Sequence, residues 1–235
     1  MSFLAARRLT PERLDALSAT DRRAIGSRRD LVWLNWIMRH DAIVADALRA
    51  GADMPPRTLL ELGAGDGSFM LRVARRLAPV WPGVAVTLLD RQDLVSEATR
   101  VGFADLGWQV ETKTADVFDA LSPAEPDFYD AITANLFLHH FEGAALRSLL
   151  AGAAIRTKLF VAAEPRRTAL AWTASRMIWV LGCNDVSRHD ARVSVEAGFK
   201  HQELSGIWPA DQTWALEERR GGPFTHIFSA RREAP

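Results

Sequence analysis

The run Leu59-Leu60-Glu61-Leu62-Gly63-Ala64-Gly65-Asp66-Gly67-Ser68 constrains this chain more than any other. Its first residues read as a short buried strand and its glycines as a sharp turn. Gly63 and Gly65 lack a Cβ, so the backbone there can bend tightly and approach a ligand closely. Helix-forming residues follow at once, and a helix starting at that point leaves unpaired N–H groups facing the turn. In a dinucleotide-binding turn the third glycine falls where Ser68 stands. Here it comes one residue early, as Gly67, and an acid, Glu61, precedes the first glycine by two residues.

From that run onward the pattern alternates. Strands are expected at 58–62, 84–90, 108–115, 128–134 and 159–163, with helices at 66–77, 94–106, 144–156, 168–181 and 190–197. Such alternation predicts a parallel sheet with helices on both faces. The ending differs: 200–207 and 225–231 read as two strands with no crossover helix between them, a terminal antiparallel pair. Ahead of the glycine run, residues 11–49 carry apolar positions at helical spacing. Thr10 reads as the cap, Pro11 as the first helical residue, and Gly26-Ser27 as a break between two helices. The stretch 51–56 is the nearest thing to a boundary. It divides a helical cap, 1–56, from the main domain, 57–235.

Composition narrows the partners. Lys and Arg together number 29, as do Asp and Glu, so the net charge is zero. No electrostatic footprint for nucleic acid or an anionic membrane appears, and pairs such as Arg22-Arg23, Arg28-Arg29 and Arg166-Arg167 read as solvated faces. Cys183 is the one cysteine, expected to be buried and reduced. No apolar run approaches the roughly 20 residues of a membrane span, so a cytoplasmic setting is expected.

Two further acids stand at strand ends. Asp90 closes Val86-Thr87-Leu88-Leu89, where it can accept from ribose hydroxyls. Asp116 follows Thr114-Ala115, where it can accept from an adenine amino group, with Phe118 placed to cover the ring. With the E-x-G-x-G-x-G turn, these residues resemble class I S-adenosylmethionine-dependent methyltransferases, and the likeness spans residues 58–232. That resemblance implies an α/β, Rossmann-like fold: a seven-stranded, mostly parallel sheet with an antiparallel last strand, and a variable N-terminal helical cap over the acceptor. It implies S-adenosyl-L-methionine as cofactor, with Glu61, Gly63, Ala64 and Gly65 at the methionine end. Asp90 and Arg91 then lie at the ribose and Asp116, Val117 and Phe118 at the adenine; Asn135 completes the cofactor set. No metal is expected.

For the acceptor side, Leu138-His139-His140 follows the fourth strand and resembles the leucine-histidine-aspartate turn of small-molecule O-methyltransferases. His139 matches the catalytic base there, with His140 standing in place of the aspartate. Glu164, at the fifth strand's end, points to the same rim and could orient a histidine or receive a proton. His189, in the polar tract before a short helix, is a second base candidate, with Ser187 or Asp190 as that helix's cap. Trp33, Trp36, Trp172, Trp179, Trp208 and Trp214 fall on variable segments and favour an aromatic or lipid-like acceptor. The Asp/Asn-Pro-Pro-aromatic turn of enzymes acting on base nitrogens is replaced by Asn135-Leu136-Phe137-Leu138, which argues against nucleic acid. The expected activity is methyl transfer to a hydroxyl of a small aromatic, polyketide or phenolic lipid acceptor, as in specialised metabolism. C-methylation of a quinone or phenol ring, and cofactor binding without turnover, stay open, as does a homodimer.

Overall fold

The computed structural model describes residues 4–18, 20–209 and 213–233. Two helices, α1 (Arg22–Ile37) and α2 (His40–Gly51), precede the sheet. Then follow β1 (Thr58–Leu62), α3 (Ser68–Leu77), β2 (Ala85–Asp90), α4 (Glu97–Asp105) and β3 (Gln109–Thr114). After α5 (Val117–Ala120) come β4 (Tyr129–Asn135), α6 (Gly143–Ala154), β5 (Thr157–Pro165), α7 (Ala169–Met177) and α8 (Asp185–Ala197). The chain finishes with β6 (Trp214–Arg220) and β7 (Thr225–Arg232).

The strands form one seven-stranded sheet in the order β3-β2-β1-β4-β5-β7-β6. β1 to β5 pair in parallel, and β7 runs antiparallel to both β5 and β6. Each strand feeds alternate side chains to opposite faces. Leu59 joins Val44, Leu48, Met70, Val73 and Phe103 on one side; Leu60 and Leu62 join Leu149, Leu150, Phe160, Trp208 and Phe228 on the other. Strand order reverses between β1 and its two neighbours, so a crevice opens at their carboxyl ends, where ligands of such sheets bind. Helix α2 is built into the first of these cores, since Val44, Ala45, Ala47 and Leu48 are all buried there.

Four local expectations are corrected. Thr10 and Pro11 lie outside any helix; α1 begins at Arg22, capped by the Asp21 carboxylate, which accepts from the Arg23 N–H at 2.8 Å. The helix runs straight through Gly26 and Ser27 and breaks instead at Arg39, which takes φ +55°. A glycine costs a helix interior only about 1 kcal/mol, which packing offsets. Residues 201–208 form turns rather than a strand, burying Leu204 and Trp208 at helix-like spacing, and the true partner of β7 is β6. Helix α8 begins earlier than expected, capped by Asn184, whose side chain accepts from the Ser187 N–H at 2.9 Å.

Candidate active site

One cavity of about 960 Å³ lies over the carboxyl ends of β1, β2 and β4, roofed by the N-terminal segment, α1, α7 and α8. That volume suits a sizeable ligand, at the upper end of the usual 300–1,000 Å³ range. Glu61, Gly63, Ala64, Gly65, Asp90, Arg91, Asp116, Val117 and Asn135 all line it; Phe118 does not, and packs edge-to-face on Phe141 instead.

Strand register builds the glycine half. Leu62 stands opposite Leu89 on one side and Ala134 on the other, so Asp90 and Asn135 flank Gly63. Gly63 has φ +69°, and a Cβ there would come within 2.3 Å of the Phe137 ring. Gly65 has φ +57° with open space around it. The Asp90 carboxylate accepts from the Gly65 N–H at 2.9 Å and from the Gln92 N–H at 3.0 Å, fastening the turn to the end of β2. Asp116 caps α5 by accepting from the Phe118 N–H at 2.9 Å.

Glu61 is the odd member. It is 2 % exposed, and its Oε2 has no hydrogen-bond partner. Burial, then the nearby charges of Asp66 and Asp90, push its pKa well above the carboxylate range. An unpaired buried carboxylate is costly unless a cation or donor meets it. Beside a glycine turn that admits a ligand backbone, with a second carboxylate at the neighbouring strand end, it suits a ligand that carries an ammonium group and a sugar.

The other half is built by a strained turn. Leu136 takes φ +52°, which lets the chain double back after β4 into a 3-10 turn, Leu138–His140. Strain of that kind persists where its surroundings over-determine it. Here Glu164, fully buried, does so: its carboxylate accepts from the backbone N–H groups of Phe137, Leu138 and His139 at 3.0, 2.8 and 3.3 Å. The same carboxylate lies 2.8 Å from Nδ1 of His139, while Nε2 lies 3.3 Å from the Glu12 carboxylate. Burial alone would lower the His139 pKa, but the two carboxylates overcome it and hold the ring up to about 9. Burial would likewise raise Glu12, and His139 brings it down to about 2. The trio is therefore an imidazolium clamped between two carboxylates. His140 lies 3.6 Å from Asp15; burial and the charge on His139 lower its pKa. Glu12, His139 and His140 bring three possible metal-ligand atoms within 4.8 Å of one another. Both His139 nitrogens already face carboxylates, so ion pairing accounts for that arrangement.

Glu12 reaches this point on an N-terminal strap that α8 holds down. Asp190 accepts from the Arg13 and Leu14 N–H groups at 2.8 and 3.0 Å, so it tethers the strap instead of capping α8. Arg7 donates to the Phe141 and Ala197 carbonyls at 3.0 and 2.8 Å. His189 bonds to Asp190 at 3.0 Å and does not line the cavity. Glu12, Asp15, Asn35 and His40 do line it, and none was singled out from sequence. His40 bridges Asn135 and Thr225 at 2.9 and 2.8 Å, and burial lowers its pKa to about 4. Arg167, expected in solvent, is 2 % exposed and clamps the Leu4 and Gly198 carbonyls and Glu203. The tryptophan expectation also changes. None of the eight lines the cavity, and Trp208 and Trp214 are core residues against Phe160 and Phe228.

Residues 59–158 match a family model described as a methyltransferase domain. No curated protein matches the chain in sequence. Among solved structures, an O-methyltransferase family protein from Burkholderia thailandensis is 22 % identical, with a TM-score of 0.65 over 99 % of this chain and 67 % of that one. The plantazolicin methyltransferase BpumL, in complex with SAH, is 11 % identical with a TM-score of 0.65, covering 91 % and 92 % of the two chains. The magnesium protoporphyrin IX methyltransferase of Synechocystis PCC 6803, with bound SAM, is 14 % identical with a TM-score of 0.53, covering 94 % and 88 %. The sheet order and its antiparallel end are thus those of a class I methyltransferase fold.

Proposed function

From the premise that the chain carries a class I methyltransferase domain, we propose that it uses S-adenosyl-L-methionine to methylate a hydroxyl of a small aromatic, polyketide or phenolic lipid acceptor. The observation that carries the cofactor assignment is the orphaned Glu61 carboxylate beside the Gly63–Gly65 turn, with Asp90 at the next strand end. Glu61 meets the ammonium of the methionine moiety, and its unpaired oxygen gains a charged donor. Ala64 and Gly65 bring the backbone against that moiety. Asp90 and Arg91 hold the ribose, and Asp116 and Val117 border the adenine. When bound, the cofactor would supply an electrophilic methyl on a sulfonium, the sulfur keeping the electrons of the S–C bond.

The chain's own work is then positioning and proton removal. Holding acceptor and methyl in near-attack geometry can supply roughly 7–11 kcal/mol. His139, in its neutral form and with the Glu12 carboxylate moved off Nε2 by the acceptor, takes the hydroxyl proton at Nε2, and Glu164 fixes the ring through Nδ1 and stabilises the imidazolium that results. Glu164 is an orienting group; its backbone bonds leave it no room to move. His189, off the cavity, takes no part. Asn35 and His40 form the polar wall that orients the acceptor's other oxygens, and Asn135, bonded to both, stays on the cofactor side. Apolar residues of α1 and of the Ile178–Leu181 turn offer the space for a ring or an alkyl chain. The buried thiol of Cys183 and the absence, among the described residues, of any helix long and apolar enough to cross a membrane fit a cytoplasmic setting.

Calorimetry tests the first step. S-adenosyl-L-methionine should bind the wild type and lose at least about tenfold in affinity in Asp90→Ala and in Glu61→Gln. Undiminished binding in both variants would sink the cofactor assignment. Mass spectrometry and NMR of a product made with labelled methyl donor then tell oxygen from carbon attachment.

A further inference from the structure

A net charge of zero conceals how the charge is distributed. Two segments frame the cavity mouth, α1 and the tract 169–182 that joins α7 to its following 3-10 turn, and neither exposes an acid. Along α1 the exposed positions are arginines, Arg22, Arg23 and Arg29, of which Arg23 pairs with the capping Asp21 at 3.3 Å, or apolar residues, chief among them Trp33 and Trp36. Those two indoles are 53 % and 62 % exposed and pack edge-to-face at 5.3 Å. Along 169–182 the exposed side chains include Met177, Trp179, Val180 and Leu181, and the one exposed charge is Arg176. Val32, Ile37, Met177, Val180 and Leu181 are at once exposed and lining the cavity, so they are its rim.

Large apolar side chains gathered round one opening mark an interaction surface. Its chemistry narrows the partner. Indole rings have an apolar body and a polar N–H, and settle at the headgroup level of a bilayer. Arginine stems lie along apolar surface while the guanidinium reaches outward. A face whose exposed positions are arginines and apolar residues, with the half-buried Asp30 turned to Asn184 and Ser187, matches helices that lie in an anionic membrane interface. A second copy of the chain is a poor occupant, because an isologous contact would set this acid-free arginine face against itself.

We propose that the outer faces of α1 and of the 169–182 tract dock on an anionic bilayer, seating the cavity mouth at the membrane so that an acceptor with a long apolar chain enters from the lipid. The docking surface stands on geometry alone; the delivery of an acceptor rests on the function proposed above.

Flotation of the full chain with vesicles tests the docking. The wild type should float with phosphatidylglycerol–phosphatidylcholine vesicles and less with phosphatidylcholine alone. Trp33→Ser/Trp36→Ser should lower the bound fraction constant at least about tenfold, and Arg22→Glu/Arg29→Glu should abolish the preference for phosphatidylglycerol. These side chains do not line the cavity, so cofactor affinity should be unchanged and reports folding. Equal binding by wild type and variants, or no binding to either vesicle, overturns the proposal. So does a dimer by light scattering that Trp33→Ser/Trp36→Ser dissolves. Delivery is read separately: a long-chain phenol in vesicles should be methylated faster by the wild type than by the tryptophan variant, and a short soluble phenol at equal rates. Equal rates on both phenols overturn delivery; vesicle binding with no phenol methylated leaves docking standing and removes the proposed reaction.

Discussion

The two halves of the cavity are made in different ways. The glycine half is backbone geometry: a turn with three positive φ angles, at Gly63, Gly65 and Gly67, tied by Asp90 across a parallel strand pair only 25 residues away. The His139 half is side-chain electrostatics. Its partners come from 127 residues before and 25 residues after. One half depends on the absence of atoms and the other on charges brought together from separate segments. They should therefore fail differently under substitution.

The largest expected effect breaks the first half. Gly63→Ala forces a Cβ into the Phe137 ring and should weaken cofactor binding at least about a hundredfold, or prevent folding, as circular dichroism would reveal. Gly65→Ala, with the same sign of φ but open space, bears only the left-handed strain of about 1–2 kcal/mol. Calorimetry should rank the two in that order; the reverse would mean that close approach is not what Gly63 provides. Next comes the second half. His139→Ala should lower turnover at least about tenfold while cofactor affinity stays within experimental scatter. A matching fall in cofactor affinity would show that the halves are not independent.

The smallest effect is also the sharpest. A base held at about 9 is mostly protonated at neutral pH, so the rate should rise with pH up to that point. Glu12→Gln removes one of the carboxylates that hold the proton and should move the inflection down toward the ordinary histidine value of about 6.5. The same linkage sets stability. Charge pairing of His139 contributes fully below its unfolded pKa and is lost as pH rises through about 9, so alkaline unfolding should be milder in Glu12→Gln. An unshifted rate profile would take His139 out of the proton transfer.

This contrast also explains what could be read from residues alone. The strand-turn-helix run and the acids at strand ends announce themselves because backbone demands are local, and the sheet follows from their alternation. Strand β6 hides because it is an edge strand whose Glu217, Glu218, Arg219 and Arg220 break the apolar signal. Glu12 hides for another reason: nothing near Pro11 shows that Asp190 will pull that stretch over His139. The tryptophans misled because bulk suits a core as well as a pocket, and Trp208 went to the core. Net charge says as little about placement, since a sum over residues has no direction.

The strap fastened by Asp190 makes one side of the cavity exchangeable. A change in the opening residues would alter what faces His139 and leave the glycine turn, fastened by Asp90, as it is.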